Sequence, residues 1–216
     1  MCKIVHKYNG VIVADATGYI PVCKVDMKKF KDIDFLTFSG HKLNALKGLG
    51  VLYINNNIEI KPLIYGNQEN GKFAGTENII GIASLGKAVE EYDYNLISSY
   101  SRDYVYDYIV KNIADSYLIG APFKNRLPHN LNVCFKGVKG DSLMMMLDMN
   151  GFQVSTGSAC SAGSPLPSDT LAAIGMDKND INSCIRMSFG RNGTRLELDD
   201  FCEKLNICVK HLRSFV

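Results

Sequence analysis

Three short apolar runs in the first part of the chain predict strands of an α/β sheet. They cover residues 11–15, 35–38 and 50–54, and turn-forming or polar residues lie between them. Short, nearly continuous apolar runs are typical of strands that are buried on both faces. We therefore expect a largely buried sheet, preceded by the end of a helix that reaches about Tyr8, with the first strand ending at Asp15.

The hydrophobic period changes at about residue 76, where apolar side chains begin to recur at helical spacing. This spacing continues to about residue 115 and predicts one long helix, or two in tandem, with one face toward a core. The recurring residues are Ile79, Ile80, Ile82, Leu85, Val89, Tyr92, Leu96, Ile97, Tyr100, Val105, Tyr108, Ile109 and Ile113.

The remainder of the chain alternates between the two periods and predicts a small α+β region. Strands are expected at residues 130–135, 152–154 and 184–189, and helices at 141–149, from 168, and at the C-terminus. Thr194 and Glu197 have the spacing of a capping box at the start of the last helix, whose apolar positions are Leu198, Phe201, Leu205 and Val209. We expect three segments: 1–75, 76–115 and 116–216.

Composition excludes several classes of protein. Of the 216 residues, 46% are hydrophobic and 21% are charged, which is ordinary for a globular protein. A formal net charge of +2 gives no electrostatic reason to expect nucleic-acid binding. No apolar run approaches the roughly 20 residues of a membrane-spanning helix, and the N-terminus lacks the apolar length of a secretory signal. We expect a cytoplasmic protein that binds neither nucleic acid nor membrane.

The seven cysteines are an odd number, and no two of them are separated by two residues. No histidine lies at metal-ligand spacing from them, so neither a disulfide framework nor a metal site is expected. Most of them are expected to be small core residues, and one to be chemically active.

Asp15 and Lys42 follow two neighbouring predicted strands. If these strands run parallel, both residues lie at the edge where α/β sheets bind ligands. A buried Asp15 requires a cation. Pyridoxal phosphate needs a lysine, an acid for its ring nitrogen and donors for its phosphate, and Ser39 and His41 add candidate donors. Taken alone, Lys42 and Asp15 are better explained as a surface lysine and a turn acid.

Four motifs, in order along nearly the whole chain, change that assessment. Residues 39–53 resemble the cofactor-lysine region of class V aminotransferase relatives, and residues 66–78 are similar to the glycine-rich segment that follows it there. Residues 155–160, followed by 167–169, and residues 185–191 resemble the cysteine desulfurase branch of that family. The resemblance implies the C-terminal portion of a fold type I pyridoxal-phosphate-dependent transferase: the end of the large-domain sheet, a long connecting helix and a small α+β domain.

The resemblance also implies roles for individual residues. Lys42 would carry the cofactor covalently, Asp15 would pair with its ring nitrogen, and Ser39 and His41 would contact its phosphate, with His41 also counted as catalytic. Thr76 would reach the phosphate in the other subunit of a homodimer.

Two more roles concern the substrate. Arg186 would bind the α-carboxylate of L-cysteine, because a planar guanidinium suits a planar anion. Cys160 would accept the sulfur as a persulfide and leave alanine as the product. Its glycine- and serine-rich surroundings predict an exposed loop, where a thiol can react.

The chain also departs from the family pattern. Gly18 replaces a glutamine and Phe73 replaces an arginine, and we expect the phosphate-binding turn and the ring-stacking histidine of the family to lie outside these 216 residues. His6 is expected to be a surface helix residue. A separate N-terminal polypeptide could supply the missing parts.

Three functions therefore compete. The first is a cysteine desulfurase that supplies sulfur to an acceptor or scaffold protein, for iron-sulfur clusters or thiolated products. The second is an inactive remnant that acts as a folding, dimerisation or partner-binding module. The third is a selenocysteine lyase or another class V enzyme.

Overall fold

The computed structural model describes residues 2–157, 168–191 and 193–215. The chain forms two compact units, Met1–Tyr94 and Asn95–Val216, which we call the N-terminal and the C-terminal unit. In the described part of the chain no helix is long and apolar enough to cross a membrane. The division into segments 1–75, 76–115 and 116–216 remains a prediction.

The N-terminal unit is built on a three-stranded sheet in the order β1-β2-β3. Strands β1 and β2 are parallel, with Asp15 opposite Thr37, and β2 and β3 are antiparallel. The three strands lie where the apolar runs predicted them. The elements of this unit are α1 (Cys2–Lys7), β1 (Val13–Asp15), β2 (Phe35–Ser39), β3 (Gly50–Ile54) and α2 (Ile79–Glu90).

The prediction that this sheet is largely buried is wrong for the described residues. Val13 is 66% exposed, because β1 is an edge strand with no neighbour beyond it among those residues. The buried core is small and consists of Ala16, Ile20, Leu36 and Leu43. It lies under one face of the sheet and includes the loop after β1.

A buried carboxylate connects α1 to this sheet. Asp34 precedes β2 and accepts hydrogen bonds from the backbone N–H of Ile12 (2.8 Å) and from Nε2 of His6 (2.9 Å). The hydrogen bond from Ile12, followed by that from His6, holds the pKa of Asp34 below its ordinary value. His6 is exposed on α1, as predicted, and in addition forms this hydrogen bond.

The helical period after residue 76 corresponds to two helices, which was one of the two predicted alternatives. They are α2 and, at the start of the C-terminal unit, α3 (Tyr100–Asn112). Val105 and Ile109 of α3 are fully buried, as predicted. Ile79 and Ile80 of α2 are more than 70% exposed, so the predicted burial of these two residues is wrong. In α2 the contact with the sheet is made farther along, by Leu85, which packs on the N-terminal core.

The C-terminal unit contains an antiparallel sheet in the order β4-β5-β6. One face of this sheet carries the main core, with Val133 and Ile185 of the sheet packed with Leu147 of α4 and Leu205 of α7. The elements after α3 are β4 (Ser116–Leu118), β5 (Asn130–Phe135), α4 (Gly140–Met149), α5 (Asp169–Ala173), α6 (Lys178–Ile181), β6 (Cys184–Ser188) and α7 (Arg195–Arg213).

The opposite face of this sheet is covered by two short helices. Leu171 of α5 and Ile181 of α6 pack there with Ile119, Cys134 and Cys184. Side chains alternate between the two faces of a strand, so residues directly opposite each other on β5 and β6 share a face. The polar and cysteine side chains of β5 and β6 lie on this second face.

Two local predictions had opposite outcomes. The capping box at α7 is present, since the Thr194 hydroxyl accepts a hydrogen bond from the backbone N–H of Glu197 and the Glu197 carboxylate accepts one from the backbone N–H of Thr194. The strand predicted at residues 152–154 is wrong. Only the next residue, Ser155, pairs with a strand, through an isolated bridge to Arg186.

Candidate functional site

Lys42 lies in a tightly closed loop between β2 and β3, residues 39–50, which we call the lysine loop. Its ends are joined by a hydrogen bond from the backbone N–H of Gly40 to the carbonyl of Leu49 (3.0 Å). Residues 40–43 form one 3-10 turn, which ends at Asn44 in the left-handed conformation with a φ of 67°. His41 and Lys42 are exposed on this turn, whereas Leu43, its last residue, is buried.

Gly40 explains why the loop can pack this closely. An added Cβ would meet the carbonyl oxygen of Leu49 at 3.3 Å and Cδ1 of Leu85 at 3.3 Å. The loop is also bound to α2, because the Ser84 hydroxyl accepts a hydrogen bond from the backbone N–H of Leu46 (2.9 Å). The backbone that carries Lys42 is therefore fixed on both sides although its side chain is exposed.

Asp15 and the lysine loop lie at the same edge of the N-terminal sheet. Strands β1 and β2 are parallel, as the site hypothesis required, and Asp15 is opposite Thr37, two residues before Ser39. With a rise of about 3.3 Å per residue, Asp15 precedes Ser39 by only about 7 Å along the strand direction. The fold thus brings the predicted acid and the predicted lysine turn to one edge.

The expected burial of Asp15 is wrong, and with it the argument that Asp15 requires a cation. Its side chain is exposed, and it accepts a hydrogen bond from the backbone N–H of Thr17 (2.9 Å). Among the described residues no basic side chain pairs with it. Hydrogen bonds from the Thr17 side chain and then from its backbone hold the pKa of Asp15 below its ordinary value, so the carboxylate is ionised at neutral pH.

Thr76 borders a different part of the N-terminal unit. A cavity of about 840 Å³ lies between β3, the start of α2 and the glycine-rich segment, and both Thr76 and Phe73 line it. The backbone there needs glycine, since φ is 77° at Gly71 and 128° at Gly75. Asp15 and Lys42 do not line this cavity.

Arg186 lies on β6 in the C-terminal unit, on the face opposite the main core. Its backbone N–H and carbonyl pair with Ser155, and its guanidinium donates to the Ser155 hydroxyl (3.3 Å). Ser155 is the first residue of the predicted cysteine segment and also donates to the carbonyl of Gly157 (3.0 Å). Arg186 is half-buried, so its guanidinium is held in place but remains within reach of solvent.

Asn132 was missed by the sequence reasoning. It is the partner of Arg186 across β5 and β6, so the two side chains share a face. Its Oδ1 is buried and has no hydrogen-bond partner among the described residues, which is uncommon for a buried polar atom. An asparagine between the apolar residues Leu131 and Val133 was the available signal, but only the register identifies Arg186 as its neighbour.

Cys160 lies outside the described residues. The other six cysteines are all free thiols: Cys134, Cys184, Cys202 and Cys208 are buried, and Cys2 and Cys23 are half-buried. Within residues 2–157, 168–191 and 193–215, no group of three or more His, Cys, Asp or Glu side chains is arranged to hold a metal ion.

These observations define an α/β protein with an acid and a lysine at one strand edge and an arginine on a separate antiparallel sheet. The chain belongs to the aminotransferase class-V family, whose family model matches residues 1–201. Its predicted α/β fold class is confirmed by solved structures. A NifS-like protein superimposes with a TM-score of 0.78 at 29% identity, covering 99% of this chain and 56% of the other.

Within that family the chain is similar to cysteine desulfurases. It is 39% identical to cysteine desulfurase IscS of Dictyoglomus turgidum over 99% of this chain and 55% of that protein. It is 38% identical to cysteine desulfurase IscS of Methanosarcina thermophila over 96% of this chain and 51% of that protein. A structure of SspA in complex with cysteine matches with a TM-score of 0.66 at 28% identity, covering 89% of this chain and 54% of the other. The chain spans about half the length of these relatives.

Proposed function

We propose that this chain carries part of a pyridoxal-phosphate-dependent cysteine desulfurase site, which converts L-cysteine to L-alanine and leaves a persulfide on Cys160. The main support is the placement of Asp15 and Lys42 at the carboxyl edge of the parallel pair β1 and β2. The names of the relatives support the same activity.

The residues at this edge fit the cofactor in chemical type. Lys42 offers an exposed amine on a fixed turn, and Asp15 offers a carboxylate that its hydrogen bonds keep ionised. Ser39 and His41 offer donors for a phosphate. When bound, pyridoxal phosphate supplies an electron sink for bond cleavage at the substrate.

Each residue has a defined task in this proposal. Lys42 holds the cofactor covalently, Asp15 holds a proton on its ring nitrogen, and Ser39 and His41 bind its phosphate. Thr76 binds the phosphate of the neighbouring subunit in a homodimer. None of these tasks requires a metal ion.

The C-terminal unit supplies the substrate contacts. Arg186 binds the α-carboxylate, and Ser155 orients its guanidinium through the hydrogen bond between them. The Cys160 thiolate attacks the substrate sulfur as the substrate's carbon–sulfur bond breaks. The bonding electron pair stays with the substrate carbon, which takes up a proton to become the methyl group of alanine. The persulfide then passes its outer sulfur to an acceptor or scaffold protein in the cytoplasm, for iron-sulfur cluster assembly or thiolation.

A second candidate is an inactive module for dimerisation or partner binding. Gly18 and Phe73 favour it, because neither can supply the amide or the cation that the family pattern has there. Gly18 has no neighbouring atom within 4 Å of an added Cβ, and Phe73 is half exposed. A separate N-terminal polypeptide that completes the site would reconcile this candidate with the first.

The cofactor proposal is tested by adding pyridoxal phosphate to the purified chain and recording visible absorbance. We expect a new band that is lost in Lys42→Ala and retained in Lys47→Ala, an exposed lysine of the same loop. Absence of a band in the unaltered chain would exclude cofactor binding by this chain alone, and persistence of the band in Lys42→Ala would contradict the role of Lys42.

The same samples separate the three functions when L-cysteine is added. Release of alanine that stops in Cys160→Ser supports the desulfurase. A band without alanine release supports the inactive module, and activity that appears only on addition of an N-terminal polypeptide identifies a split enzyme. Turnover that persists in Cys160→Ser supports a selenocysteine lyase or another class V reaction.

A further inference from the structure

Two buried cysteines lie directly opposite each other in the C-terminal sheet. Cys134 on β5 and Cys184 on β6 are register partners, and both are free thiols. The next pair along the ladder is joined by the hydrogen bond from the Phe135 N–H to the Ser183 carbonyl (2.9 Å). Cys134 and Cys184 therefore occupy a non-hydrogen-bonded position, where Cα atoms are about 4.5 Å apart. This separation lies within the range of about 4.4–6.8 Å found in disulfides.

Both sulfur atoms already point to one place. Sγ of Cys184 lies 3.2 Å from the carbonyl oxygen of Asp180, and Sγ of Cys134 lies 3.7 Å from the same atom. Sδ of Met176 is 3.7 Å from Sγ of Cys184. The two thiols thus share an acceptor, and forming a bond between them needs side-chain rotation rather than movement of the strands.

The surroundings also make the two thiols unequal. The hydrogen bond from Cys184 lowers the pKa of Cys134, with smaller contributions from the Tyr117 hydroxyl and the Lys136 ammonium. Sharing that proton with Cys134, together with burial, raises the pKa of Cys184. The shared hydrogen bond thus favours ionisation of one thiol of the pair, and the thiolate is the reactive form.

The remaining buried cysteines lack this arrangement. Cys202 and Cys208 lie six residues apart on α7 and so point to different sides of the helix. Burial raises the pKa of Cys202 to about 12. The two cysteines of α7 are therefore suitable internal controls, since they are as deeply buried but cannot reach each other.

We propose that Cys134 and Cys184 form a reversible cross-strand disulfide by exchange with low-molecular-weight disulfides. The Cys134 thiolate attacks one sulfur of the small disulfide, forms a mixed disulfide and releases one small thiol. Cys184, as a thiolate, then attacks Sγ of Cys134 and releases the second small thiol. The two protein thiols lose two electrons and two protons, and the small disulfide gains both.

Access to the pair is controlled by the two short helices over it. Cys134 is 0% and Cys184 is 2% exposed, and the helices that cover them among the described residues are α5, with five residues, and α6, with four. Such short elements with few buried residues are the parts of a protein that open locally. Exchange is therefore slow but does not require the main core on the other face of the sheet to unfold.

The proposed cross-link lies on the strand that carries Arg186. Cys184 and Arg186 are two residues apart on β6 and share a face. Oxidation also removes both sulfur donors from the carbonyl of Asp180 in α6. This inference is independent of the proposed function, because it needs neither cofactor nor substrate.

The test is incubation of the folded, reduced chain with oxidised glutathione, followed by blocking of free thiols and peptide mapping without reduction. We expect the Cys134 and Cys184 peptides to be linked, with Cys202 and Cys208 left as thiols. The cross-link closes a long loop and should raise the Tm by roughly 5 °C or more, reversibly on addition of dithiothreitol.

Matched variants complete the experiment. Cys134→Ala and Cys184→Ala should abolish the link and the rise in Tm, whereas Cys208→Ala should retain both. Mapping of the unaltered chain decides the question even if a variant fails to fold. The proposal is overturned if the link forms only in denaturant or if either cysteine pairs with a different one. It is also overturned if a glutathione adduct accumulates on Cys134 or Cys184 instead of the link.

Discussion

The two units differ in how each buries its sheet. In the C-terminal unit, one face of the sheet is packed against three helices with residues such as Val133 and Leu205 fully buried. In the N-terminal unit the core is limited to a few side chains near Leu36 and Leu43, and Val13 on β1 is largely exposed. The C-terminal unit therefore gains more stability from hydrophobic burial than the N-terminal unit does.

The largest expected effect is the loss of a core side chain from α7. Leu205→Ala removes a fully buried leucine and leaves a cavity, which should lower the free energy of unfolding of the C-terminal unit by about 2–5 kcal/mol. The change in the free energy of unfolding is measured by a denaturant titration in which hydrogen exchange in α7 is the readout. Ile207→Ala on the exposed side of the same helix is the control, and an equal loss in both variants would contradict the assignment of the core.

A smaller effect, with a pH dependence, is expected in the N-terminal unit. Asp34→Asn replaces the carboxylate that accepts hydrogen bonds from Ile12 and His6 and should lower the Tm by a few degrees at neutral pH. Because the folded state lowers the pKa of Asp34, its contribution is present above the unfolded value of about 3.9 and is lost as the pH falls through the folded value.

The measurement for Asp34 is a series of thermal melts of both proteins between neutral and acid pH. The difference in Tm should shrink below about pH 4, where the wild-type carboxylate is protonated too. Asp32→Asn, at an exposed position two residues away, should leave the Tm unchanged. A difference between wild type and Asp34→Asn that grows below about pH 4 would exclude this linkage.

The smallest effect is expected at the exposed start of α2. Ile79→Ser should change the free energy of unfolding by no more than about 0.5 kcal/mol, because the side chain is 72% exposed. Val105→Ser, in the buried face of α3, should be severely destabilising and provides the comparison in a denaturant titration. A large loss in Ile79→Ser at high protein concentration only would instead indicate that another chain covers this surface.

The fold was predicted best where a pattern is local. The strand at 130–135 and the capping box of Thr194 and Glu197 are confirmed, because alternation and cap spacing are set by neighbours in the sequence. β4 and α6 were missed, since three or four residues are too short for either period to be recognised. The burial of Val13 was overestimated because an apolar run does not indicate whether its strand lies at an edge.

The candidate site was predicted in part for the same reason. Motif residues such as Lys42 and Arg186 could be named from the sequence, and the parallel pairing that brings Asp15 to the lysine loop was stated as a condition that the structure meets. The partners of those residues could not be named. Ser155 and Asn132 become neighbours of Arg186 only through the register of the sheet, which no local pattern encodes.

The alternation along β5 and β6 makes the C-terminal unit intolerant of a shift in strand pairing. Moving β6 by one residue would turn Arg186 toward the apolar core and remove Ile185 from it. The same error would therefore cost stability and displace the guanidinium. A chain that folds correctly here has thereby also placed Arg186 beside Asn132. In this sheet, the register that buries the core is also the register that positions Arg186.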